Sequence, residues 1–280
     1  MPRAHNQHVE LHYDTFGSPT VPALLLVNGL SSQCINYRVE LCEKFVAEGF
    51  FVIRFDNRDV GLSTKFEHHS PADGPAYTVS DMGDDAIAVL DAAGVDRAHV
   101  FGMSMGGMIV QTLAIEHPDR LLSMTSVMSS TGDSDVGGSS PEAAALIMQP
   151  FPPGKEAFLD RQCLASRTWG SPSAYDEERV RAWAAEAYDR CHLPAGPLRQ
   201  MAAVRADGSR TERLRSVRVP TLVLHGDRDN LLHFSGGERT AEAIPGARFV
   251  LLEGMGHDMV PAYWDRVVQL VSEHAKAVAA

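Results

Sequence analysis

Residues 102–106 read Gly-Met-Ser-Met-Gly, one serine with glycine two places to either side. The segment VDRAHVFG precedes the site and the apolar run MIVQTLAI follows it, which places Ser104 between a strand and a helix. On so tight a turn the serine backbone is strained, and its flanking positions must be small for strand and helix to approach; Gly102 and Gly106 meet that need. The turn also sets Ser104 at the positive end of a helix, where the Met105 N–H can face a developing negative charge. This is the setting of a nucleophile that attacks carbonyl carbon. A glycine-rich turn that cradles phosphate is the competing reading. Against it, the GxGxxG spacing and the lysine of a phosphate loop are missing.

A serine hydroxyl is a weak nucleophile and needs a base within hydrogen-bond reach, itself oriented by a carboxylate. Both partners must come from the carboxyl ends of later strands. The run TLVL leads into His225-Gly226-Asp227-Arg228-Asp229, and RFVLL into Glu253-Gly254-Met255-Gly256-His257. Of twelve histidines, His257 is selected by its place after the last strand, between Gly256 and Asp258. Asp227 competes with Asp229 for the acid. Asp229 is preferred, with Asp227 expected to cap the turn.

The elements that must carry these residues follow from short apolar runs alternating with segments of helical period, the pattern of βαβ units and a parallel sheet. Strands are expected at Pro22 to Val27, Phe50 to Phe55, Ala98 to Gly102, Leu122 to Met128, Thr221 to Leu224 and Arg248 to Leu252. Several are apolar at consecutive positions, as strands buried on both faces are. Helices are expected at Arg38 to Glu48, Ser80 to Ala93 and Met105 to His117, stopped by Gly49, Gly94 and Pro118. From about Thr131 to Val219 the chain turns rich in Gly, Ser and Pro, then helical and charged. Residues 1–130 and 220–280 are therefore expected to form the core, and 131–219 an inserted helical cap or lid. Met103 and Met105 flank Ser104, and the insertion offers Met148, Phe151, Phe158, Trp169, Trp183 and Tyr188 to a largely apolar pocket. Between Tyr175 and Arg190, Val180, Trp183, Ala184 and Ala187 form an apolar stripe that can face the sheet or the second subunit of a homodimer.

Taken together, these residues resemble the α/β-hydrolase family over nearly the whole chain. The resemblance implies an α/β-hydrolase fold, a mostly parallel sheet flanked by helices, with Ser104, Asp229 and His257 as catalytic residues. It implies an oxyanion hole made by the backbone N–H groups of Leu30 and Met105, with Gly29 and Met103 beside the substrate. The family's usual His-Gly is here Asn28-Gly29-Leu30, a departure that leaves the backbone donor intact but alters the bracing of its loop. A second family stretch appears as Asp56-Asn57-Arg58-Asp59-Val60-Gly61-Leu62-Ser63, with Asp59 where glycine is usual; Asp56 and Arg58 are read as buttresses. With the terminal Gly-Met-Gly-His, this form is similar to a bacterial subgroup that includes methylesterases of anthracycline polyketides. Relatives with aspartate at the elbow displace at alkyl carbon; serine moves the chemistry to acyl transfer.

The expected activity is hydrolysis of small to medium, mainly apolar carboxylic esters through an acyl-enzyme, with no metal or organic cofactor. Lactone, carbon–carbon bond and perhydrolytic cleavage share the same residues, and a ligand-sensing receptor is the reading from another class. A formal net charge of −11 over 280 residues argues against a nucleic-acid partner, which clustered Lys and Arg would attract. The four cysteines form no CxxC pair. No apolar stretch approaches the roughly 18 residues of a membrane span, nor does the amino terminus carry a signal-peptide core. The cytoplasm is the expected compartment.

Overall fold

The computed structural model describes residues 2–69 and 73–278. Eight strands form one sheet in the order β1-β2-β4-β3-β5-β6-β7-β8. They are β1 (Arg3–Asn6), β2 (Val9–Phe16), β3 (Ala23–Val27), β4 (Phe51–Phe55), β5 (Ala98–Met103), β6 (Leu121–Val127), β7 (Thr221–Gly226) and β8 (Arg248–Leu252). From β4 through β8 all pairings are parallel, whereas β1 and β2 add an antiparallel edge. The six strands expected from sequence are all present, with ends shifted by a residue or two.

Strand β3 shows why this sheet holds. Leu24 and Leu26 pack into a cluster with α1 (Val39–Ala47) and α10 (Pro261–Val278), while Leu25 and Val27 pack with α2 (Val79–Ala92) and α3 (Met105–Glu116) on the other face. Each is fully buried, and each such side chain contributes about 1.5–3 kcal/mol. Alternate residues serve opposite faces, so a continuous apolar run is what a doubly covered strand requires. A capping box between Thr78 and Asp81 starts α2.

Between β6 and β7 the described chain is helical: α4 (Pro141–Ile147), α5 (Lys155–Trp169), α6 (Glu177–Arg190), α7 (Gly196–Asp207) and the short α8 (Thr211–Leu214). Helices α5 and α6 share a small apolar centre of Phe158, Leu159 and Ala184. After β7 the chain runs through α9 (Ser235–Ala243) to β8. No described helix is long and apolar enough to cross a membrane.

The hairpin β1–β2 has no counterpart in the sequence reading. Val9, Leu11 and Tyr13 alternate with Glu10, His12 and Asp14, a strand period, but the turn before it, with Gln7 at φ +52°, lacks the Asn-Gly or Asp-Gly pair that marks a tight hairpin. Pairing with β4 through Tyr13 to Phe16 organises it.

Backbone packing is tightest where α3 leaves β5. A Cβ on Gly102 would lie 2.1 Å from the Gly106 carbonyl oxygen, and one on Gly106 would lie 2.1 Å from that of Val27. Neither neighbour is a side chain that can swing away. Gly102→Ala or Gly106→Ala is expected to cost about 3 kcal/mol or more, roughly 6 to 12 °C in Tm. Gly138→Ala, which meets nothing within 4 Å, should melt with the wild type in the same scan.

Candidate active site

Ser104 occupies the turn between β5 and α3 with φ +57° and ψ −121°, a conformation that a non-glycine residue holds only when its surroundings enforce it. Three hydrogen bonds do so. The Ser104 N–H donates to the Val127 carbonyl at 2.8 Å, and its own carbonyl accepts from the Gly107 N–H and the Ser129 hydroxyl, both at 2.8 Å. Gly29, after β3, stands against this residue; a Cβ there would lie 3.1 Å from Ser104 Cβ.

Asp229 and His257 come together from the loops after β7 and β8. His257 Nδ1 lies 2.6 Å from Asp229 Oδ2, which assigns the ring proton of that bond to Nδ1. The His257 N–H donates to the Trp169 carbonyl at the end of α5. Asp227 is held elsewhere, accepting the Gly254 N–H at 2.7 Å, so it caps the β8 turn. Among the described residues no hydrogen bond joins Ser104 Oγ to His257. Unliganded sites often leave this bond long, to tighten when substrate arrives.

Asp229 is heavily engaged. Its Oδ1 accepts the N–H groups of Leu231 and Leu232 at 2.9 and 2.8 Å, and its Oδ2 also lies 3.3 Å from His225 Nε2. His225 is fully buried, with its Nε2 also 2.8 Å from the Leu232 carbonyl. Burial by itself raises the carboxyl's pKa, but His257 and His225 overcome it and hold Asp229 well below the ordinary carboxylate range. His225 is a member that the sequence reading missed; its only sequence clue is adjacency to Gly226 at the strand end.

A cavity of about 300 Å³ opens beside His257. Met103, Met259 and Val260 line it from the core, and Phe151, Phe158, Trp169 and Trp183 from the helical segment. The α6 stripe of Val180, Trp183, Ala184 and Ala187 faces this cavity, so it turns toward the molecule's own interior. Three expectations are corrected. Met105 is a core side chain packed with Ile109 and Leu113, because the first turn of α3 points it under the sheet; only its backbone faces the elbow. Met148, just past the end of α4, is half exposed at 50%, with its sulfur against Arg205. Tyr188 stacks on His192 and lies tilted against Phe158 behind the cavity wall. Gly29, Leu30 and Ser104 are outside the lining as well, with Leu30 packed against the core.

The loop after β3 is braced without a histidine. Asn28 donates from Nδ2 to the Gln33 carbonyl at 3.2 Å, and its carbonyl accepts from Asn57 Nδ2 at 3.0 Å. The Leu30 N–H meets no acceptor among the described residues. Asp56 accepts the Cys34 and Leu62 N–H groups and pairs with Arg190 of α6 at 2.7 Å. Arg58 makes a two-pronged pair with Asp85 at 2.6 and 2.7 Å. His12, Cys34 and Asp56 bring their ligand-type atoms within 4.8 Å of one another. The Arg190 guanidinium, 3.4 Å from Cys34 Sγ, already supplies the positive charge that a metal would bring there. The four cysteines are all free.

A family model described as alpha/beta hydrolase fold matches residues 22–261. The chain is 31% identical to a rhodomycin D methylesterase of Streptomyces sp. strain C5 across 96% of both chains. It is equally 31% identical to the rhodomycin D methylesterase of Streptomyces peucetius, across 97% of both. Among solved structures, the enol-lactonase from Burkholderia xenovorans LB400 superposes with a TM-score of 0.77 at 24% identity, covering 98% of this chain and all of the other, a likeness of fold.

The depressed Asp229 pKa carries a sign for stability. Its folded value lies below the unfolded value of about 3.9, so ionised Asp229 stabilises the fold above that pH, and the contribution fades as pH falls toward the folded value. Asp229→Asn should therefore melt several degrees below wild type at pH 6 to 7, with the gap narrowing below about pH 4; a gap that widened there would contradict this.

Proposed function

Because the chain belongs to the α/β-hydrolase fold family, we propose that it is a carboxylic ester hydrolase working through an acyl-enzyme on Ser104. The observation that carries the proposal is the buried His257–Asp229 pair at 2.6 Å, formed after the last two strands and accompanied by a serine held at positive φ on the strand-to-helix turn. The two Streptomyces relatives are rhodomycin D methylesterases, which supports the same class.

In this mechanism Ser104 Oγ attacks the ester carbonyl and its proton passes to His257 Nε2. Asp229 holds the Nδ1–H tautomer and stabilises the imidazolium. The oxyanion accepts the N–H groups of Leu30 and Met105; the latter opens α3 and has no acceptor in the preceding turn of its helix. Collapse of the tetrahedral adduct expels the alcohol, which takes the proton from His257. Water, deprotonated by the same nitrogen, then releases the acid and restores Ser104. Each oxyanion donor in such a site is worth roughly 10²–10³ in kcat.

The helical segment 131–219 acts as the cap over this site and provides much of its apolar wall. Charged groups in the wall already have partners: Asp59 pairs with Arg199, Arg179 with Asp176, and Asp258 accepts the Ser171 hydroxyl and N–H. An unmatched ionised substrate would enter at a desolvation cost, so neutral esters of small to medium size are the fitting substrates. Free cysteines agree with a reducing compartment, and we assign the protein to the cytoplasm.

Hydrolysis of p-nitrophenyl butyrate by wild type, Ser104→Ala, Asp229→Asn and Asp227→Asn tests the assignment. Ser104→Ala should lose activity to background while melting cooperatively. Asp229→Asn should lower kcat by about 10⁴, and Asp227→Asn by less than about tenfold. Activity surviving in Ser104→Ala would sink the proposal, and turnover confined to lactones or diketones would redirect it within the same chemistry.

A further inference from the structure

Helix α7 bears on two active-site loops at once. Gln200 is fully buried. Its Oε1 accepts the Ser31 N–H at 2.8 Å, and its Nε2 donates to the Arg58 carbonyl at 2.9 Å. The preceding residue, Arg199, holds Asp59 by two bonds of 2.9 and 2.7 Å. Asp59 also accepts the Tyr77 hydroxyl and the Phe66 N–H. At the start of the helix, Gly196 lies so close that a Cβ there would be 2.1 Å from the Asp59 carbonyl oxygen.

Both gripped residues have the left-handed backbone that non-glycine residues avoid: Ser31 at φ +62° and Asp59 at φ +69°. Such conformations persist where external partners hold them. Ser31 directly follows Leu30, and a peptide unit is planar. Anchoring the Ser31 N–H therefore orients the Leu30–Ser31 plane and leaves only the two backbone rotations of Leu30 to aim its own N–H.

We propose that Gln200 is a positioning residue for oxyanion binding, through which α7 sets the aim of the Leu30 N–H. The inference rests on the reading of Ser104 as nucleophile and Leu30 as oxyanion donor. It gives both departures from the family pattern a common physical cause. With Asn28 in place of histidine, the loop after β3 takes a brace from Gln200. With Asp59 in place of glycine, the neighbouring loop presents a carboxylate by which Arg199 seats the same helix.

The test uses Gln200→Met, which keeps length and removes both hydrogen bonds, and Gln200→Glu, which keeps the acceptor for Ser31 and, as the neutral acid that burial favours, a donor for the Arg58 carbonyl. Each is measured for kcat and KM on p-nitrophenyl butyrate, for thermal melting, and for affinity toward a phenylboronic acid that forms a tetrahedral adduct on serine. Gln200→Met is expected to lower kcat by about 10- to 100-fold, less than loss of a whole oxyanion donor. Its KM should stay within about twofold, with boronate affinity falling in step with kcat. Gln200→Glu should keep kcat within about threefold of wild type, and this arm decides the matter if the Met variant does not melt cooperatively. A side chain that only fills space would lower the melting temperature and leave kcat and boronate affinity unchanged. Folded Gln200→Met with wild-type kcat, or Gln200→Glu with a hundredfold loss, overturns the inference while the serine-hydrolase reading stands. Ser104→Ala run alongside separates the two: if that variant still turns over the ester, the hydrolase reading fails and takes this inference with it.

Discussion

Where β3, β5 and the first turn of α3 meet, backbone lies against backbone with no side chain between. Gly102 faces the Gly106 carbonyl, and Gly106 faces that of Val27. This contact places the positive end of α3 at the carboxyl edge of the sheet. Ser104 is left at φ +57°, because no relaxed conformation joins a strand to a helix over so short a distance. The loop beginning at Asn28 leaves β3 beside this contact and brings Gly29 against the serine. The strain is affordable because both sheet faces are covered: Leu24 and Leu26 look one way, Leu25 and Val27 the other.

Around that rigid elbow, charge does the fine placement. Two arginines of the helical segment reach buried carboxylates at the loops after β4, Arg190 to Asp56 and Arg199 to Asp59. Buried pairs of this kind recover little net stability once desolvation is counted, and they are better understood as fixing one arrangement among several. Here the arrangement sets Trp183 and Ala187 of α6 into the cavity wall and seats α7 on the loops after β3 and β4. Asp229 follows the same logic on a smaller scale. Three N–H donors crowd its two oxygens, with His225 Nε2 at 3.3 Å beside them, and the imidazole of His257 is oriented by a carboxylate that cannot readily turn away.

Much of this was legible in the chain alone, and the reasons are local. Doubly buried strands need consecutive apolar residues, so β3, β4, β5 and β7 could be read directly. The elbow needs small residues at two fixed offsets from a serine, and Gly102 and Gly106 supply them. His257 and Asp229 stand out because strand ends are where a parallel sheet presents its loops. The edge hairpin was not legible. Val9, Leu11 and Tyr13 do alternate with Glu10, His12 and Asp14 as a half-buried strand does, but no turn pair marks a hairpin, and pairing with β4 sets its register. The direction of Met105 and Met148 was not legible either, since spacing cannot show which way a residue at a helix end points.

The sequence by itself determined the class of fold and the kinds of residue able to react, because both follow from short-range periodicity and from steric demands that few residue types meet. Tertiary structure alone decided which groups meet across more than a hundred residues. Gln200 reaches Ser31, Arg199 reaches Asp59, and Arg190 reaches Asp56. Each of these contacts depends on how helices and loops from distant parts of the chain pack. No spacing rule records that, since a hydrogen bond between residues 31 and 200 leaves no mark on the neighbours of either.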